Sequence, residues 1–568
     1  MLNNESNYII YGINRVQKDF EYIFNHLKII GYISESEDID IYNNKPVFSI
    51  NKLSEIKYDK IIICSFMKDK LKQKLEGAGF IYNDNFIIAD DIFSELDFPL
   101  SKKIKKRKLA IWGTGKSAQN FIENNKEFAI ECYIDNNIEN TNTYLNNIPV
   151  VHPNDIGNFN EYYIIVASVF YWEIRMQLQL YDLIEFEDFI WEKLIIPKAS
   201  ELLKQTIYDN SYYDFQCNTM HNVYEVEQTG MVSCCCTTFT DYRIGNLIYQ
   251  DFFEIWNSNL HKILCLSLNN RTYTFCKKNM CQVLNLYKRK EISDCSKLKY
   301  IDFPAMPKSI QISIDETCNL YCESCRKCIV IDKENTKTQI MADKIIENLP
   351  KNLNFVTMAG NGEVFLSKIY ERIWKSEKLN NVSKFKLLTN GTLFNEKKWK
   401  EFIKNKNSQI YLCVSIDAAS KDTYKAIRRG GNFDILKENM KYASALRKKQ
   451  ELKYFQINFV VQRNNYKEMI DFVKWGVELG CDKVFFSRIL NWGTYDDNEF
   501  ERLSMVDSNG RPNIELEKIL EDPIFDNPIV DVGTINCKQK LNNSIPEKLE
   551  NFYDWEIQSW RNVKESTL

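Results

Sequence analysis

From Pro307 onward, short apolar runs recur at regular intervals: "SIQISID", "NFVTMAG", "KFKLLTN", "IYLCVSID", "FQINFVV" and "KVFFSRI". Longer amphipathic stretches separate them. Strand-length runs alternating with helix-length ones predict β/α units, and six such units predict a parallel barrel or partial barrel. The first 195 residues carry a different pattern, and they carry it twice. "YIIYGINRVQKDFEYI" at Tyr8 is echoed by "LAIWGTGKSAQNFIEN" at Leu109, "KIIGYISESED" at Lys28 by "FAIECYIDNNIE" at Phe128, and "DKIIICSFMKDKLKQKL" at Asp59 by "YYIIVASVFYWEIRMQL" at Tyr162. Each copy reads as strand, Gly-containing turn, helix, strand, longer loop, strand, helix. Between these regions, from about Phe215 to Cys295, lies a cysteine-rich segment with turn signals at Gly230 and at "RIGN", Arg243 to Asn246. In it "EQTGMVSCCC" reads as a hairpin and "DFFEIWNS" as a short amphipathic helix. After about Phe500 no strong periodicity remains. The predicted boundaries are 1–103 and 104–200 for the repeats, 201–300 for the cysteine-rich domain, 301–500 for the barrel, and 501–568 for an extension.

A chain of 568 residues exceeds one hydrophobic core. Its 44% hydrophobic and 27% charged residues are ordinary for globular domains. A net charge of -3 argues against broad attraction to nucleic acid or anionic lipid. The basic run "KKIKKRK", Lys102 to Lys108, falls between the two repeats and reads as a solvated linker. There is no basic N-terminal region followed by an apolar core, and no stretch of 18 apolar residues, so the chain is expected to be cytoplasmic without a membrane span. Seventeen cysteines in a reducing compartment read as metal ligands or buried thiols rather than disulfides. Four histidines give zinc-hydrolase chemistry little to work with.

The densest cysteine cluster is "ETCNLYCESCRKC", Glu316 to Cys328, immediately after the strand "QISID". Cys318, Cys322 and Cys325 make CxxxCxxC. Full ligation of a cubane iron-sulfur cluster takes four cysteines, so three on one loop leave one iron open to bind a substrate or cosubstrate. A structural zinc site would want a fourth ligand, which Cys328 offers.

These residues resemble the radical S-adenosylmethionine (SAM) family, and the resemblance runs from Pro307 to about Trp492. "AGNGEVF", Ala359 to Phe365, resembles the family's GGE motif, which contacts the SAM amino group; Gly360, Gly362 and Glu363 keep it, and Asn361 stands where a glycine is usual. "LTNGTLF", with Asn390, resembles the third strand and its turn. "VSIDAASKDTYKAIRRGGNFD", Val414 to Asp434, resembles the fourth strand and helix with the ribose-contacting polar residues. Strand alternation puts Cys413, Ser415 and Asp417 on one face, expected to line the barrel interior; a turn or helix-cap role for Ser415 and Asp417 stays open. Arg428 and Arg429 are candidates to pair with a SAM or substrate carboxylate. Val460 and Gln462 are candidates to flank adenine, with Ser487 on the sixth-strand wall. The fold class implied is α/β: a partial (β/α)6 TIM-like barrel preceded by a small Cys-rich iron-sulfur domain and two tandem Rossmann-like α/β domains. The resemblance also implies a 4Fe-4S cluster on Cys318, Cys322 and Cys325, SAM, and an electron donor such as flavodoxin or ferredoxin. The chemistry implied is reductive cleavage of SAM to a 5′-deoxyadenosyl radical that abstracts hydrogen from a substrate C–H bond.

Cys217, Gly230 and Cys235 give C-x12-G-x4-C, and Cys276 with Cys281 give CxxxxC. The pattern resembles the SPASM or twitch auxiliary-cluster domains, although such domains usually follow the barrel and carry more cysteines. A second 4Fe-4S cluster on Cys217, Cys235, Cys276 and Cys281 is the expectation, with Cys234 and Cys236 as alternatives and a metal-free domain left open. "GTGKSA", Gly113 to Ala118, followed by Asp135, fits a dinucleotide-type turn. It resembles Rossmann-like domains on sugar-modifying enzymes, with docking or dimerisation equally open. The expected substrate is a carbohydrate or nucleotide-linked small molecule; the alternatives are a peptide, as for maturases, or a non-catalytic iron-sulfur scaffold.

Overall fold

The computed structural model describes residues 2–94, 107–195, 217–284 and 301–535, apart from 36–38, 66, 127, 169, 186, 279, 282, 327, 332–335, 352, 404–407, 492–493, 508–509 and 534. Cys295, Trp492, Cys537 and most of the basic run fall outside the described residues. Arg107 and Lys108 of that run are described and are not linker. Lys108 opens a strand, and Arg107 pairs with Asp188 at 2.8 Å. By contacts the chain divides into two compact units, Met1–Tyr213 with Lys262–Thr274, and Asp214–His261 with Phe275–Leu568.

In the first unit, β1 (Asn7–Tyr11), β2 (Lys28–Ile33), β3 (Ile41–Tyr42), β4 (Lys45–Phe48), β5 (Lys60–Ile63) and β6 (Phe86–Ile88) form a sheet of order β3-β4-β2-β1-β5-β6. A second sheet of β7 (Lys108–Trp112), β8 (Cys132–Ile134), β9 (Thr143–Leu145), β10 (Ile148–Val151), β11 (Tyr162–Val166) and β12 (Phe189–Trp191) repeats that order as β9-β10-β8-β7-β11-β12. Pairing is parallel throughout except in one small hairpin per sheet. The longer loop expected in each copy contains that hairpin. Its turn is Asn-Asn both times, at Asn43–Asn44 and Asn146–Asn147, with all four φ between 48° and 64°, the backbone a type I′ turn requires.

Both copies leave their first strand through a glycine forced by its surroundings. Gly12 (φ 117°) and Gly113 (φ 123°) adopt a backbone that L side chains rarely reach, and a Cβ there would lie 2.3 Å from Cys64 O and 2.5 Å from Ala167 O respectively.

The second unit is built on one ten-stranded sheet. Its strands are β13 (Val223–Glu227), β14 (Met231–Ser233), β15 (Gly245–Asn246), β16 (Ser309–Ser313), β17 (Phe355–Met358), β18 (Lys384–Thr389), β19 (Gln409–Ser415), β20 (Tyr454–Val461), β21 (Lys483–Arg488) and β22 (Val530–Asp531). The order is β15-β14-β13-β16-β17-β18-β19-β20-β21-β22. The six strands read from the sequence, β16 to β21, are consecutive parallel neighbours, as a partial barrel requires. Residues on both sides of the expected boundary at 300 share this sheet, because β13 of the cysteine-rich segment pairs in parallel with β16. The extension adds β22 at the other edge. Alternation separates the two faces. Phe385 packs on Trp374 and Phe459 on Phe472, outward against helices, while Phe355, Tyr411 and Tyr454 contact one another inside.

Gly113→Ala is expected to destabilise the chain by about 1–3 kcal/mol through left-handed strain and the backbone clash, whereas Gly115→Ala, with φ -77° and open space at Cβ, should change stability by less than about 0.5 kcal/mol. Thermal unfolding of the two variants tests this.

Candidate functional site

The loop that follows β16 carries Cys318, Cys322 and Cys325. It is pinned at three places: Cys318 N donates to Val330 O at 2.8 Å, Tyr321 N to Arg429 O at 3.0 Å, and Glu323 N to Ile427 O at 3.0 Å. Cys318 and Cys322 are buried and Cys325 is exposed. Each sulfur meets an N–H donor. Cys318 Sγ accepts from Leu320 N at 3.5 Å and from Asn390 Nδ2 at 3.7 Å, Cys322 Sγ from Arg428 Nη1 at 3.5 Å, and Cys325 Sγ from Arg326 Nε at 3.3 Å. Burial pushes the thiols of Cys318 and Cys322 up, and Arg428 pulls Cys322 back. These donors offset part of the cost that burial places on the thiolate, the form that binds iron.

The segment after β17 closes over this loop. A Cβ on Gly362 would lie 2.4 Å from Asp315 O and 2.8 Å from Thr317 O, so this position admits only glycine, whereas one on Gly360 would lie 2.5 Å from Ser313 Oγ, which would have to turn away. Glu363 is fully buried and burial raises its pKa. Its carboxylate accepts from Thr389 Oγ1 at 2.7 Å, Asn390 N at 2.7 Å and Phe365 N at 3.1 Å. Asn361 has a role that a glycine could not fill. Its side-chain amide donates to Gln228 Oε1, on the β13–β14 turn, while its backbone carbonyl, which any residue would supply, accepts from Arg326. Asn390 is likewise committed locally, to Cys318, Asn319 and Thr392.

Ser415 ends β19 on the inner face. Alternation stops there: Asp417 has φ 64°, accepts from Val460 N at 2.8 Å, and pairs with Arg428 at 2.7 Å. Asp417 is buried and the Arg428 side chain is 12% exposed. Arg428 thus finds its carboxylate inside the protein, and Arg429 pairs with Glu323 at 3.0 Å near the surface. Gln462 is 1% exposed and its Oε1 has no hydrogen-bond partner among the described residues. Two residues on, Asn464 Nδ2 reaches Glu323 Oε2 of the cysteine loop at 3.5 Å, and a buried, unsatisfied acceptor on this segment suits a bound ligand's donor. Sequence reasoning missed Arg326, although it directly follows the last cysteine of the motif. It also missed Glu468, which accepts from Ala419 N at 2.6 Å and from Ser420 and Thr423 and so fixes the turn after Asp417.

The inner face of the sheet continues into the cysteine-rich segment. By register Glu225, Gln311, Thr357, Lys386 and Tyr411 form one row across β13 and β16 to β19. Gln311 Nε2 donates to Glu225 Oε1 at 2.7 Å. Burial pushes the Cys413 thiol up to about 11 against the pull of Lys386 and Lys483, which therefore face the same interior.

Of the second cysteine set, Cys235 and Cys281 are buried and Cys217 and Cys276 half-buried. Burial pushes the Cys276 thiol well up, with Cys281, Cys217 and Cys234 adding to it. The charge neighbours of Cys276 thus include two expected partners and, from the hairpin, Cys234 beside the Cys235 that the spacing selects. No three His, Cys, Asp or Glu side chains among the described residues surround a single-ion position; a cubane instead takes each thiolate on a different iron. In the first unit Asp135 accepts from Thr114 Oγ1 of the "GTGKSA" turn and, on its own loop, from Asn137 N at 2.8 Å and Asn140 Nδ2 at 3.0 Å. Among the described residues no helix is long and apolar enough to cross a membrane.

Comparison with known proteins agrees with this geometry. Residues 312–476 match the radical SAM superfamily, residues 217–282 the SPASM iron-sulfur cluster-binding domain, and residues 105–185 the C2185-like N-terminal domain. The chain therefore carries a radical SAM domain preceded by a SPASM domain, and these domains imply a SAM-binding 4Fe-4S cluster, an auxiliary cluster and SAM. The probable GTP 3',8-cyclase of Methanococcus aeolicus is 29% identical over 178 residues, covering 30% of this chain and 56% of that protein. The tungsten-containing aldehyde ferredoxin oxidoreductase cofactor-modifying protein of Pyrococcus furiosus is 22% identical over 222 residues, covering 38% and 61%. The chain spans a little over half the length of these curated relatives. Among solved structures, native anSMEcpe with bound AdoMet is 20% identical, with 39% of this chain and 60% of that one covered and a TM-score of 0.29.

Asp417→Ala leaves a largely buried guanidinium unpaired and is expected to cost about 3–5 kcal/mol, while Arg429→Ala, in an exposed pair, should cost less than about 1 kcal/mol. Urea unfolding of both variants measures the difference.

Proposed function

We propose that this chain is a radical SAM enzyme acting on a polar small molecule, either a carbohydrate or a nucleotide-linked one. The observation that carries the reading is the set of three loop thiols, each met by its own N–H donor, and a buried unsatisfied acceptor at Gln462 on the segment after β20 adds to it. In this reading Cys318, Cys322 and Cys325 hold the SAM-binding cluster, which when reduced supplies the electron that cleaves SAM to a 5′-deoxyadenosyl radical. Gly360, Asn361, Gly362 and Glu363 shape the wall against which the methionine part of SAM rests. Asn390 positions Cys318, and Ser415 and Gln462 offer polar contacts to the nucleoside part. Asp417 and Arg428 act one step back, holding the loop. A one-electron donor such as flavodoxin or ferredoxin supplies the reductant. The auxiliary cluster is held by Cys217, Cys276 and Cys281 with Cys235 or its neighbour Cys234.

The inner row Glu225, Gln311, Thr357 and Lys386 supports a polar substrate. Carboxylate, amide, hydroxyl and ammonium groups recognise hydroxyls and phosphates, and such groups discriminate strongly against ligands that leave them unpaired. A relative named as a GTP cyclase supports the same class.

The anaerobically reconstituted chain is expected to hold about eight irons, and alanine at Cys318, Cys322 and Cys325 together should lower that to about four and abolish 5′-deoxyadenosine formation under dithionite. Unchanged iron and unchanged product would refute the ligand assignment. A rise in 5′-deoxyadenosine yield with nucleotide sugars but not with peptides is the expected substrate result; the reverse would favour a peptide maturase. Cys276→Ala with Cys281→Ala should also remove about four irons while leaving a SAM-responsive cluster detectable by electron paramagnetic resonance.

A further inference from the structure

Two of the three ligand sulfurs on the loop face a guanidinium. Arg428 Nη1 reaches Cys322 Sγ at 3.5 Å and Arg326 Nε reaches Cys325 Sγ at 3.3 Å, while the donors to Cys318 are neutral. The two arginines differ in how their charge is balanced. Arg428 is largely buried against the Asp417 carboxylate at 2.7 Å. The other hydrogen-bond partners of Arg326 among the described residues are the neutral carbonyls of Glu316 and Asn361. Among the described residues no carboxylate is hydrogen-bonded to Arg326, and the Glu316 carboxylate acts on it only through space, so its charge is less closely offset than that of Arg428.

A cubane on three thiolates becomes more negative by one unit when it accepts an electron. Cations and N–H donors at its sulfurs favour the more negative state and raise the reduction potential, since cluster potentials follow net charge and hydrogen bonds to sulfur. We propose that Arg326 and Arg428 set the reduction potential of the cluster held by Cys318, Cys322 and Cys325, making it easier to reduce by the external one-electron donor. The inference rests on the ligand assignment made above. It makes the two arginines tuning residues that act through sulfur. It also gives Arg326 a second task, because its guanidinium joins the cluster loop to the Asn361 carbonyl.

The test is a potentiometric titration of the full reconstituted chain, monitored by electron paramagnetic resonance, in which the cluster is recognised by the change in its spectrum when SAM is added. Arg326→Gln is expected to lower the ratio of reduced to oxidised cluster at fixed potential about tenfold, equivalent to about 59 mV for one electron. Arg326→Lys should recover part of the shift. Arg428→Gln combined with Asp417→Asn, which neutralises the buried pair as a unit, should move the potential in the same direction. Arg429→Gln, whose side chain pairs with Glu323, should leave it in place. If the buried double change costs the cluster, Arg326→Gln decides alone. An intact SAM-responsive cluster with an unmoved potential in Arg326→Gln overturns this inference by itself. A wild-type chain with no SAM-responsive cluster overturns the ligand assignment as well.

Discussion

The largely buried pair of Arg428 and Asp417 is the constraint on which the site depends. Taking two charges out of water costs several kcal/mol each, and the attraction between them repays that only when the geometry is good and the remaining donors and acceptors are used. Here they are used for assembly. Asp417 ties the end of β19 to Val460 on β20, and Arg428 carries the same link across to Cys322 on the loop after β16. The backbone bonds from Tyr321 and Glu323 to Arg429 and Ile427 run alongside. The left-handed backbone at Asp417 is the strain accepted to aim its carboxylate sideways, and Glu468 holds the following turn in place. Three segments distant in sequence thereby become one rigid rim.

That rim explains which parts of the site were legible in the sequence. The six barrel strands announce themselves because each buries an apolar outer face against helices, and a period of two survives in the residue order. The spacing of Cys318, Cys322 and Cys325 is local and equally plain. Asp417 is different: alternation places it beside Ser415 in the interior, but alternation holds only while φ stays extended, and the strand ends two residues earlier. Arg428 cannot be assigned by sequence at all, since its partners lie 11 and 106 positions away and a helix-end arginine looks solvated by default. The Asn-Asn hairpins were readable in principle. They recur in both repeats at matching places, and paired asparagines between apolar residues signal a type I′ turn.

The cysteine-rich segment shows a second limit. Its hairpin is visible in "EQTGMVSCCC", yet nothing in that stretch says that β13 will add to the barrel sheet rather than stand apart. The pairing with β16 has two consequences. It satisfies the outer edge of β16 with a parallel neighbour, and it brings Glu225 into the same interior row as Gln311. It also gives a reason for the asparagine in "AGNGEVF". With the hairpin turn overhead, position 361 needs a side chain long enough to reach Gln228, whereas its neighbour Gly362 faces backbone carbonyls at distances that exclude any Cβ. One motif thus contains a glycine set by packing, Gly362, and an asparagine set by the domain that precedes it.

The same separation of causes applies to "GTGKSA" in the first unit. Gly113 answers to the fold, since Gly12 occupies the same place in the other repeat with the same backbone and the same collision with a carbonyl. It would be glycine whether or not anything bound there. Gly115 is not forced in this way: its φ is negative and a side chain would meet open space. The corresponding residue in the first repeat is Asn14, whose side chain accepts from Val16 N and so caps its own helix. Gly115 makes no such bond. Since asparagine caps a helix better than glycine does, neither packing nor capping selects glycine at position 115. The match to a dinucleotide-type turn therefore rests on that single residue, and the acid that should complete it, Asp135, already accepts from Thr114 of the same turn and from Asn137 and Asn140 of its own loop.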